Sequence, residues 1–432
     1  MGKIIRNSWA LFTGFAVIMI SHGFQGNLLG IRAVLENFNF IATGTMMSGY
    51  FIGYFIGANM IPNLVSKVGH IRVFAAFASM ASLSSLVHVV FVDPVIWTLA
   101  RFLTGFSMIG ILIIVESWLN DRATNKNRGQ LLSAYMIILF LGLAIGMLLL
   151  NVGSPTSYEP FILVSLLMSA ALVPILLTKR SAPKFKKIGT ISMKELYKIS
   201  PLGTVSSFCT GVIHSALFSL MAVYAATVNF TILEISILLF IITISGASAQ
   251  APIGYISDKL DRRLVIIITS IGSALFAFFS IIISDVSLNT FWNLNFNTEL
   301  GIGKILFFIF IGLYASLSLP LFSLNLAHTN DYVPKEKFVA AGGGLQLIFG
   351  IGAIGGPIVC TLFMTFFGIN GFFIFLIIFH IIISIFGFWR MTRRQTEDNP
   401  DSTFTPLPVS ITPAGLQLDP DVPVDLEKNN SN

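Results

Sequence analysis

The sequence predicts an all-α membrane protein with twelve transmembrane helices, arranged as two pseudo-symmetric halves of six. Three observations support this prediction: the composition, the lengths of the apolar runs, and an internal repeat. Of the 432 residues, 55% are hydrophobic and only 11% are charged, whereas a soluble globular chain carries about 25% charged residues. These values exclude a cytosolic enzyme, a secreted domain and a DNA-binding protein, because too few charged side chains remain to cover a soluble body.

The apolar runs give the number of spans. A helix needs about 20 apolar residues to cross the bilayer core, and polar or charged residues separate the runs of that length. In the first half, the runs lie at 9–31, 41–65, 71–92, 94–119, 129–152 and 158–178. In the second half, they lie at 201–228, 231–256, 263–284, 303–329, 336–367 and 370–391.

The lysines and arginines predict the orientation. Nearly all of them lie at one set of span ends and in the middle loop, and only Arg32 and Lys304 lie at the other set. By the positive-inside rule, the basic ends are cytoplasmic. We therefore expect a multi-pass protein of the cell inner membrane with both termini in the cytoplasm. The net charge of +6 then reports topology, and no nucleic-acid partner is expected.

The composition divides the chain into four parts. Residues 1–178 and 201–394 are predicted to form the two six-helix halves, and residues 179–200 a basic cytoplasmic linker. The linker either lies on the anionic leaflet as an amphipathic segment or is a solvated connection. Residues 395–432 are rich in Pro, Asp, Ser, Thr and Asn, so we expect a disordered cytoplasmic tail.

The two halves repeat each other. A shift of 192 residues places His22 of span 1 on His214 of span 7, and the loop after span 2 on the loop after span 8. A shift of 210 places Gly142 and Gly146 of span 5 on Gly352 and Gly356 of span 11. One insertion, around 285–302, accounts for the difference between the two shifts. Two halves of the same topology are typical of transporters whose site lies between them.

Short motifs point to a family. The loop after span 8 reads Gly254-Tyr-Ile-Ser-Asp258-Lys-Leu-Asp-Arg262-Arg263, a glycine followed by an aspartate and a basic pair. Span 4 contains Arg101 with Thr104-Gly105, and span 11 contains Gly352-Ala-Ile-Gly-Gly356-Pro357. In these motifs the chain resembles the major facilitator superfamily over essentially all twelve spans. The resemblance implies a secondary transporter with a site between its halves.

Two features depart from the family pattern. Ser66 stands at the aspartate position of the first-half loop signature, which weakens any gate built on a carboxylate there. The glycine-rich motif that the family associates with antiport belongs to span 5. Here it stands in span 11, which weakens a prediction of antiport.

Arg101 and Glu116 are the first candidates for solute or coupling-ion binding. An ionisable side chain within a span costs several kcal/mol unless it is paired or wetted. Arg101 lies about two turns into span 4, and Glu116 of the same helix is about 22 Å away at 1.5 Å per residue. This isolation favours a solute with an anionic group. The resemblance adds Thr104, which stands near Arg101 in the span 4 motif.

His22 and His214 are the second pair of candidates. Each lies in the middle of a span, and the repeat makes them pseudo-symmetry mates. Because histidine titrates near neutral pH, either could bind and release a coupling proton. Gln25 shares a helix face with His22, and Thr210 shares one with His214. The alternative is a pair of histidines that only form interhelical hydrogen bonds.

A cytoplasmic gate is predicted from the loop signature and its first-half counterpart. Its members are Lys67, Arg72, Asp258, Arg262 and Arg263. Such ion pairs control access only if they form in one state and break in the other. The alternative is a set of solvated loop charges.

The remaining features set the function class. Glycines recur at every fourth position on spans 2, 5 and 11, a spacing typical of close helix packing. Cys209 and Cys360 lie in apolar runs, so neither a disulfide nor a metal site is expected. The chain carries no motif for ATP hydrolysis or for metalloprotease or hydrolase chemistry. We therefore expect no enzyme and no cofactor.

The sequence thus predicts a secondary active transporter that moves a small organic solute by alternating access, coupled most simply to protons. The expected partners are a small-molecule substrate, with an organic anion favoured, together with protons and membrane lipids. We expect a monomer. Symport follows if the solute is an anion. Three alternatives are an efflux antiporter for drugs or metabolites, a lipid flippase, and a membrane sensor that does not transport.

Overall fold

The computed structural model describes residues 2–177, 189–284, 301–393 and 402–422. Within these ranges, twelve long helices follow one another, α1–α12, and they match the twelve predicted spans. In the first half they are α1 (Gly2–Leu35), α2 (Phe40–Val68), α3 (His70–Val90), α4 (Pro94–Asp121), α5 (Arg128–Leu148) and α6 (Glu159–Leu176). In the second half they are α7 (Pro201–Thr227), α8 (Ile232–Ser257), α9 (Arg262–Ser284), α10 (Ile302–Asn330), α11 (Phe338–Phe367) and α12 (Gly371–Met391).

Side-chain caps fix where several helices begin. The Asn39 side chain accepts the Ala42 N–H at the start of α2. At the start of α4, the side chain of Asp93, which precedes Pro94, accepts the N–H groups of Val95 and Ile96. Thr231 and Glu234 form a reciprocal capping box at the start of α8. These caps satisfy amide groups that have no partner within the helix. Between α2 and α3, Gly69 has a φ of 95°, a conformation that favours glycine.

Eleven of these helices are long and apolar enough to cross a membrane, and α2 is the exception among the described residues. It is 29 residues long, but its glycines and tyrosines lower its mean hydropathy. Gly49, Gly53 and Gly57 allow α2 to pack closely against α4. A Cβ added at Gly53 would meet the Phe102 carbonyl oxygen at 2.0 Å. The α2 helix thus packs along α4 as part of the bundle. With it, all twelve predicted helices are present, and the prediction is confirmed.

The pseudo-symmetry appears in the packing of the glycine pairs. A Cβ at Gly146 of α5 would lie 2.1 Å from the Ile20 carbonyl oxygen of α1. A Cβ at Gly356 of α11 would lie 2.3 Å from the Val212 carbonyl oxygen of α7. Ile20 and Val212 are themselves separated by the 192-residue shift. The two halves therefore share one packing arrangement, and the glycines bring backbones together as their spacing predicts.

The molecule has two distinct ends. The basic end holds Lys67, Arg128 and Arg262, and the opposite end holds Glu36, Asp93 and Glu234. At the opposite end the halves touch directly: Asn151 donates to the Ser236 hydroxyl at 2.8 Å, and Gly44 of α2 lies against Thr361 of α11. The halves are thus closed against each other at the opposite end.

The α10 helix is broken at Pro320. The helix consists of two pieces, Ile302–Ser318 and Leu321–Asn330. Proline lacks the N–H that would bond the Ser316 carbonyl four residues earlier, so the ladder is interrupted. The first piece ends at Ser318, which presents its carbonyl to another helix. His214 of α7 contacts this carbonyl.

The linker is described from residue 189 onward. Residues Met193–Ile199 form a short helix whose Leu196 is fully buried. The Ile191 N–H donates to the Ala340 carbonyl of α11 at 3.1 Å. This part of the linker therefore packs on the second half. Residues 178–188 lie outside the described residues, as does the insertion at 285–300.

The expectation of a disordered tail is wrong for residues 402–422. This tail segment lies at the basic end between the two halves, and it includes a short helix, Pro413–Leu416. Its apolar side chains Leu407, Ile411, Leu416 and Leu418 are buried. They are spread among prolines and polar residues, so the overall composition conceals them. Residues 394–401 and 423–432 lie outside the described residues.

Candidate solute-binding site

A cavity of about 210 Å³ lies between the two halves. Helices α1, α2, α4 and α5 of the first half line it, and so do α7, α8, α10 and α11 of the second. At the basic end, Leu407, Pro408, Val409 and Ser410 of the tail segment complete the wall. The cavity therefore stands where a repeat of two six-helix halves predicts a solute site.

Arg101 is the charged group of this cavity. It lies two turns into α4 and is 4% exposed. Its guanidinium carbon lies 4.7 Å from the centre of the Tyr50 ring, a cation–π contact. Its Nε and Nη1 have no hydrogen-bond partner among the described residues. No carboxylate occurs among the described residues that line the cavity, so its positive charge is uncompensated there.

His22 and His214 both line the cavity, as pseudo-symmetry mates should. Nε2 of His22 is 3.3 Å from the Tyr50 hydroxyl. Nε2 of His214 is 3.0 Å from the Ser318 carbonyl oxygen. Within the described part of the chain, Nδ1 of each ring has no partner. Each imidazole therefore has one nitrogen in a hydrogen bond and one without a partner among the described residues.

Three other predicted residues lie beside the cavity and do not line it in the described structure. Thr104 is held by the Ser84 hydroxyl at 2.7 Å and by the Ala100 carbonyl. Thr210 donates to the Ser206 carbonyl and accepts from Asn325. Gln25 is buried, and its amide has no partner among the described residues. Their geometry is that of supporting side chains.

Glu116 faces the tail segment. It is fully buried near the basic end of α4 and accepts a hydrogen bond from the Tyr135 hydroxyl at 2.6 Å. The backbone N–H groups of Thr412 and Gly415 donate to the same carboxylate at 2.9 and 3.1 Å. Glu116 is thus an attachment point for the tail in this conformation.

The predicted gate residues divide into two groups. Arg262 pairs with Asp258 at 2.8 Å and also with Asp331, and Arg263 pairs with Asp261 at 2.6 Å. These ion pairs all lie within the second half. Lys67 and Arg72 of the first half are exposed. Their pairing across the halves in another state stays a prediction.

Several lining residues were missed by the sequence reasoning. Tyr50 contacts both Arg101 and His22, and Gln250 and Gln346 bring amide groups to the second-half wall. Tyr50 directly follows Gly49, one of the glycines that recur at every fourth position on α2. That glycine spacing predicts helix packing and does not indicate a residue of the site. The tail residues were missed because the tail was expected to be disordered.

The chain is similar to known membrane transporters. The family model of the Major Facilitator Superfamily matches residues 11–324. An uncharacterised MFS-type transporter, YcaD of Escherichia fergusonii, is 23% identical over 376 residues, which cover 87% of this chain and 93% of that protein. YcaD of Escherichia coli O157:H7 has the same identity and coverage.

Two solved structures share the fold. The nucleoside transporter NupG has a TM-score of 0.72 at 15% identity, and the match covers 90% of this chain and 99% of that one. A bacterial homologue of the human lysosomal transporter Spinster, inward-facing and occupied, has a TM-score of 0.65 at 13% identity. That match covers 92% of this chain and 98% of the other. On the evidence of the twelve helices, the paired halves and the family match, this multi-pass membrane protein belongs to the major facilitator superfamily.

Proposed function

We propose that this protein is a secondary active transporter that moves a small organic anion across the bacterial inner membrane. The observation that carries the proposal is Arg101, the one permanently charged side chain among the described lining residues. A buried guanidinium without a counter-ion is costly. A carboxylate or a similar group on the solute would accept charge-assisted hydrogen bonds from this guanidinium, whose Nε and Nη1 have no partner among the described residues.

The rest of the lining favours a solute with an apolar body. Phe51, Phe55, Phe140 and Phe218 face the cavity with several leucines and methionines. Gln250 and Gln346 add a few hydrogen-bonding groups. Apolar walls with a small number of placed polar groups are typical of sites for small organic molecules. A nucleoside, the solute in the name of NupG, would leave the Arg101 charge unpaired.

Proton coupling is proposed through His22 and His214. Both rings line the cavity that holds Arg101. A proton on either ring adds positive charge, which favours binding of an anion, and its loss favours release. Because proton and anion then strengthen each other's binding, the coupling has the sign of symport.

Alternating access is part of the proposal, and the arrangement of the halves supports it. The cavity lies at their interface, and direct contacts close the opposite end. Transport would close the basic end and open the opposite one around the same site. The proposed orientation places the basic end, and with it both termini, in the cytoplasm.

A thermal-shift screen of the purified protein tests the proposal, because a bound ligand raises the apparent stability. Matched sets of organic anions, cations and neutral solutes, with nucleosides among the neutral set, are compared on three proteins: wild type, Arg101→Gln and Arg393→Gln. Arg393 is exposed beyond α12 and serves as the matched control. We expect stabilisation by anions in the wild type and in Arg393→Gln, with loss of that stabilisation in Arg101→Gln. Stabilisation by cations that persists in Arg101→Gln would contradict the proposal and favour an efflux antiporter.

A further inference from the structure

The tail segment, residues 402–422, holds both halves of the transporter at the basic end. It follows α12 in the chain yet contacts residues as far back as Tyr54 of α2 and Glu116 of α4. The proposed binding of solute and protons in the cavity gives this segment no role. Its contacts fall into three groups: polar contacts to the first half, polar contacts to the second half, and an apolar floor beneath the cavity.

The first half is attached through α4 and α5. The Glu116 carboxylate accepts the N–H groups of Thr412 and Gly415 and the Thr412 hydroxyl. Asn120 donates to the Gln417 side chain, and Arg128 donates to the carbonyls of Pro420 and Val422. These bonds satisfy the buried Glu116 carboxylate and the two Nη groups of the buried Arg128 guanidinium. The tail is therefore a specific partner of this surface, because it supplies groups that buried charges need.

The second half is attached through its loop signature. Arg262 donates to the Ser402 carbonyl at 2.7 Å, and Asp258 accepts the Phe404 N–H at 2.9 Å. The Phe404 ring lies against Gly254, where an added Cβ would meet a ring carbon at 2.1 Å. The tail thus contacts three of the four signature residues: the glycine, the aspartate and the first arginine.

Deeper contacts place the tail under the cavity. Ser323 of α10 donates to the Leu407 carbonyl and accepts the Leu407 N–H, each at 3.1 Å. Tyr54 of α2 donates to the Ser410 carbonyl at 2.8 Å, and Gln346 of α11 donates to the Val409 carbonyl at 2.6 Å. Helices of both halves therefore bind three of the four tail residues that line the cavity.

We propose that residues 402–422 are an autoinhibitory wedge, which must leave before the basic end can close. The inference rests on the proposed alternating access. Closing that end requires the surfaces around Glu116, Arg128, Asp258 and Arg262 to approach each other, and the wedge fills the space between them. The docked wedge holds the transporter in one state and separates the cavity from the basic end. Its release frees both the cavity mouth and the Glu116 carboxylate.

Distance measurements between spin labels test the wedge without any solute. One pair, Lys126→Cys with Leu260→Cys, spans the halves at the basic end, and another, Tyr158→Cys with Leu233→Cys, spans them at the opposite end. All four positions are exposed. The native Cys209 and Cys360 are buried, which directs labelling to the introduced thiols.

Three lengths of chain are compared: the full chain, residues 1–401, and residues 1–422 as the matched control. We expect chain 1–401 to gain a population with a shorter distance at the basic end and a longer one at the opposite end. The full chain and chain 1–422 should lack that population. Identical distributions in chains 1–401 and 1–422 would overturn the inference.

A full-length variant guards against misfolding of the truncated chain. Ile411→Asp with Leu416→Asp places two carboxylates where apolar side chains are buried, and the desolvation penalty should expel the wedge. This variant should show the same new population as chain 1–401. A distribution like that of the wild type would count against the wedge.

A fluorescent peptide of residues 402–422 supplies the second measurement. We expect it to bind chain 1–401 and to bind the full chain at least tenfold more weakly, because the tethered tail competes at high effective concentration. A peptide with the same two aspartates should not bind chain 1–401. Equal binding of both peptides, or no binding to chain 1–401, would overturn the inference.

The outcomes separate this inference from the proposed function. If truncation changes the distances while no anion stabilises the protein, the wedge is supported and the anion proposal fails. If anions bind through Arg101 while truncation changes neither the distances nor peptide binding, the transporter proposal is supported and the wedge fails.

Discussion

At the scale of single residues, the cavity is organised around one uncompensated charge. Arg101 is buried, and the Tyr50 ring faces its guanidinium. A cation–π contact contributes about 0.5–2 kcal/mol, much less than the desolvation of an ion, which costs several kcal/mol. The difference is available to a solute that brings negative charge. Under the proposed function, we expect the site to select a solute by its charge before its shape.

The wedge contains a titratable residue with a perturbed pKa. Burial raises the pKa of Asp419 to about 6, although hydrogen bonds from the Asp421 N–H and the Thr405 hydroxyl and the charge of Arg128 oppose the shift. The nearby carboxylate of Asp421 acts in the same direction as burial. In a released tail, Asp419 should titrate near 4. Protonation therefore favours the docked wedge.

Docking should be strongest below about pH 4 and should weaken as the pH rises through about 6, by up to about a hundredfold, since each unit of pKa difference is a factor of ten. Titration of the labelled peptide against chain 1–401 measures this. An Asp419→Asn peptide keeps the acceptor oxygen and should bind with little dependence on pH in that window. A wild-type peptide whose affinity rises with pH would contradict the assignment.

At the scale of helices, glycines set the distances between backbones. Gly355 and Gly356 of α11 are adjacent, yet a Cβ at Gly356 would lie 2.1 Å from the Ser215 hydroxyl oxygen, and a Cβ at Gly355 would meet nothing within 4 Å. Gly356→Ala should cost about 1–3 kcal/mol through overpacking and lower the Tm by several degrees. Gly355→Ala should leave the Tm unchanged or raise it slightly, because alanine favours the helix. Equal Tm values for the two variants would show that α7 and α11 do not pack this closely.

The helices could be predicted because each one shows its own signal in sequence. The lengths of the apolar runs predicted the spans, and glycines at every fourth position predicted the close helix contacts. Rotation about a helix axis gives no such signal. Gln25 follows His22 by three residues, which places it about 60° away around the helix, and it does not line the described cavity. Two residues on the same broad face of a helix therefore need not both line the cavity.

The wedge could not be predicted, since its partners are distant in the chain. Thr412 and Glu116 are 296 residues apart, and nothing in the local pattern of either residue indicates the other. The tail has enough apolar side chains to fill a cleft but too few to fold alone. Its average composition therefore resembles that of a disordered segment. Its order depends on the cavity mouth that receives it.

At the scale of the whole molecule, reporter fusions test the proposed orientation. A fluorescent protein fused after Arg394 should fluoresce, and alkaline phosphatase fused there should be inactive, because the basic end is expected in the cytoplasm. The same reporters inserted in the turn at Gly153 and Ser154, at the opposite end, should give the reverse. An active phosphatase after Arg394 would contradict both the orientation and the proposed cytoplasmic wedge.

The central claim is that an organic anion and a proton cross together through the cavity of Arg101, His22 and His214. The most direct test is uptake into proteoliposomes of the anion that gives the largest thermal shift, with an internal dye that reports pH. We predict that an inward proton gradient drives accumulation and that anion entry acidifies the lumen. Arg101→Gln should abolish uptake. The double variant His22→Ala, His214→Ala should still exchange solute but no longer respond to the gradient. Accumulation that proceeds without proton entry, or that favours cationic solutes, would contradict the account.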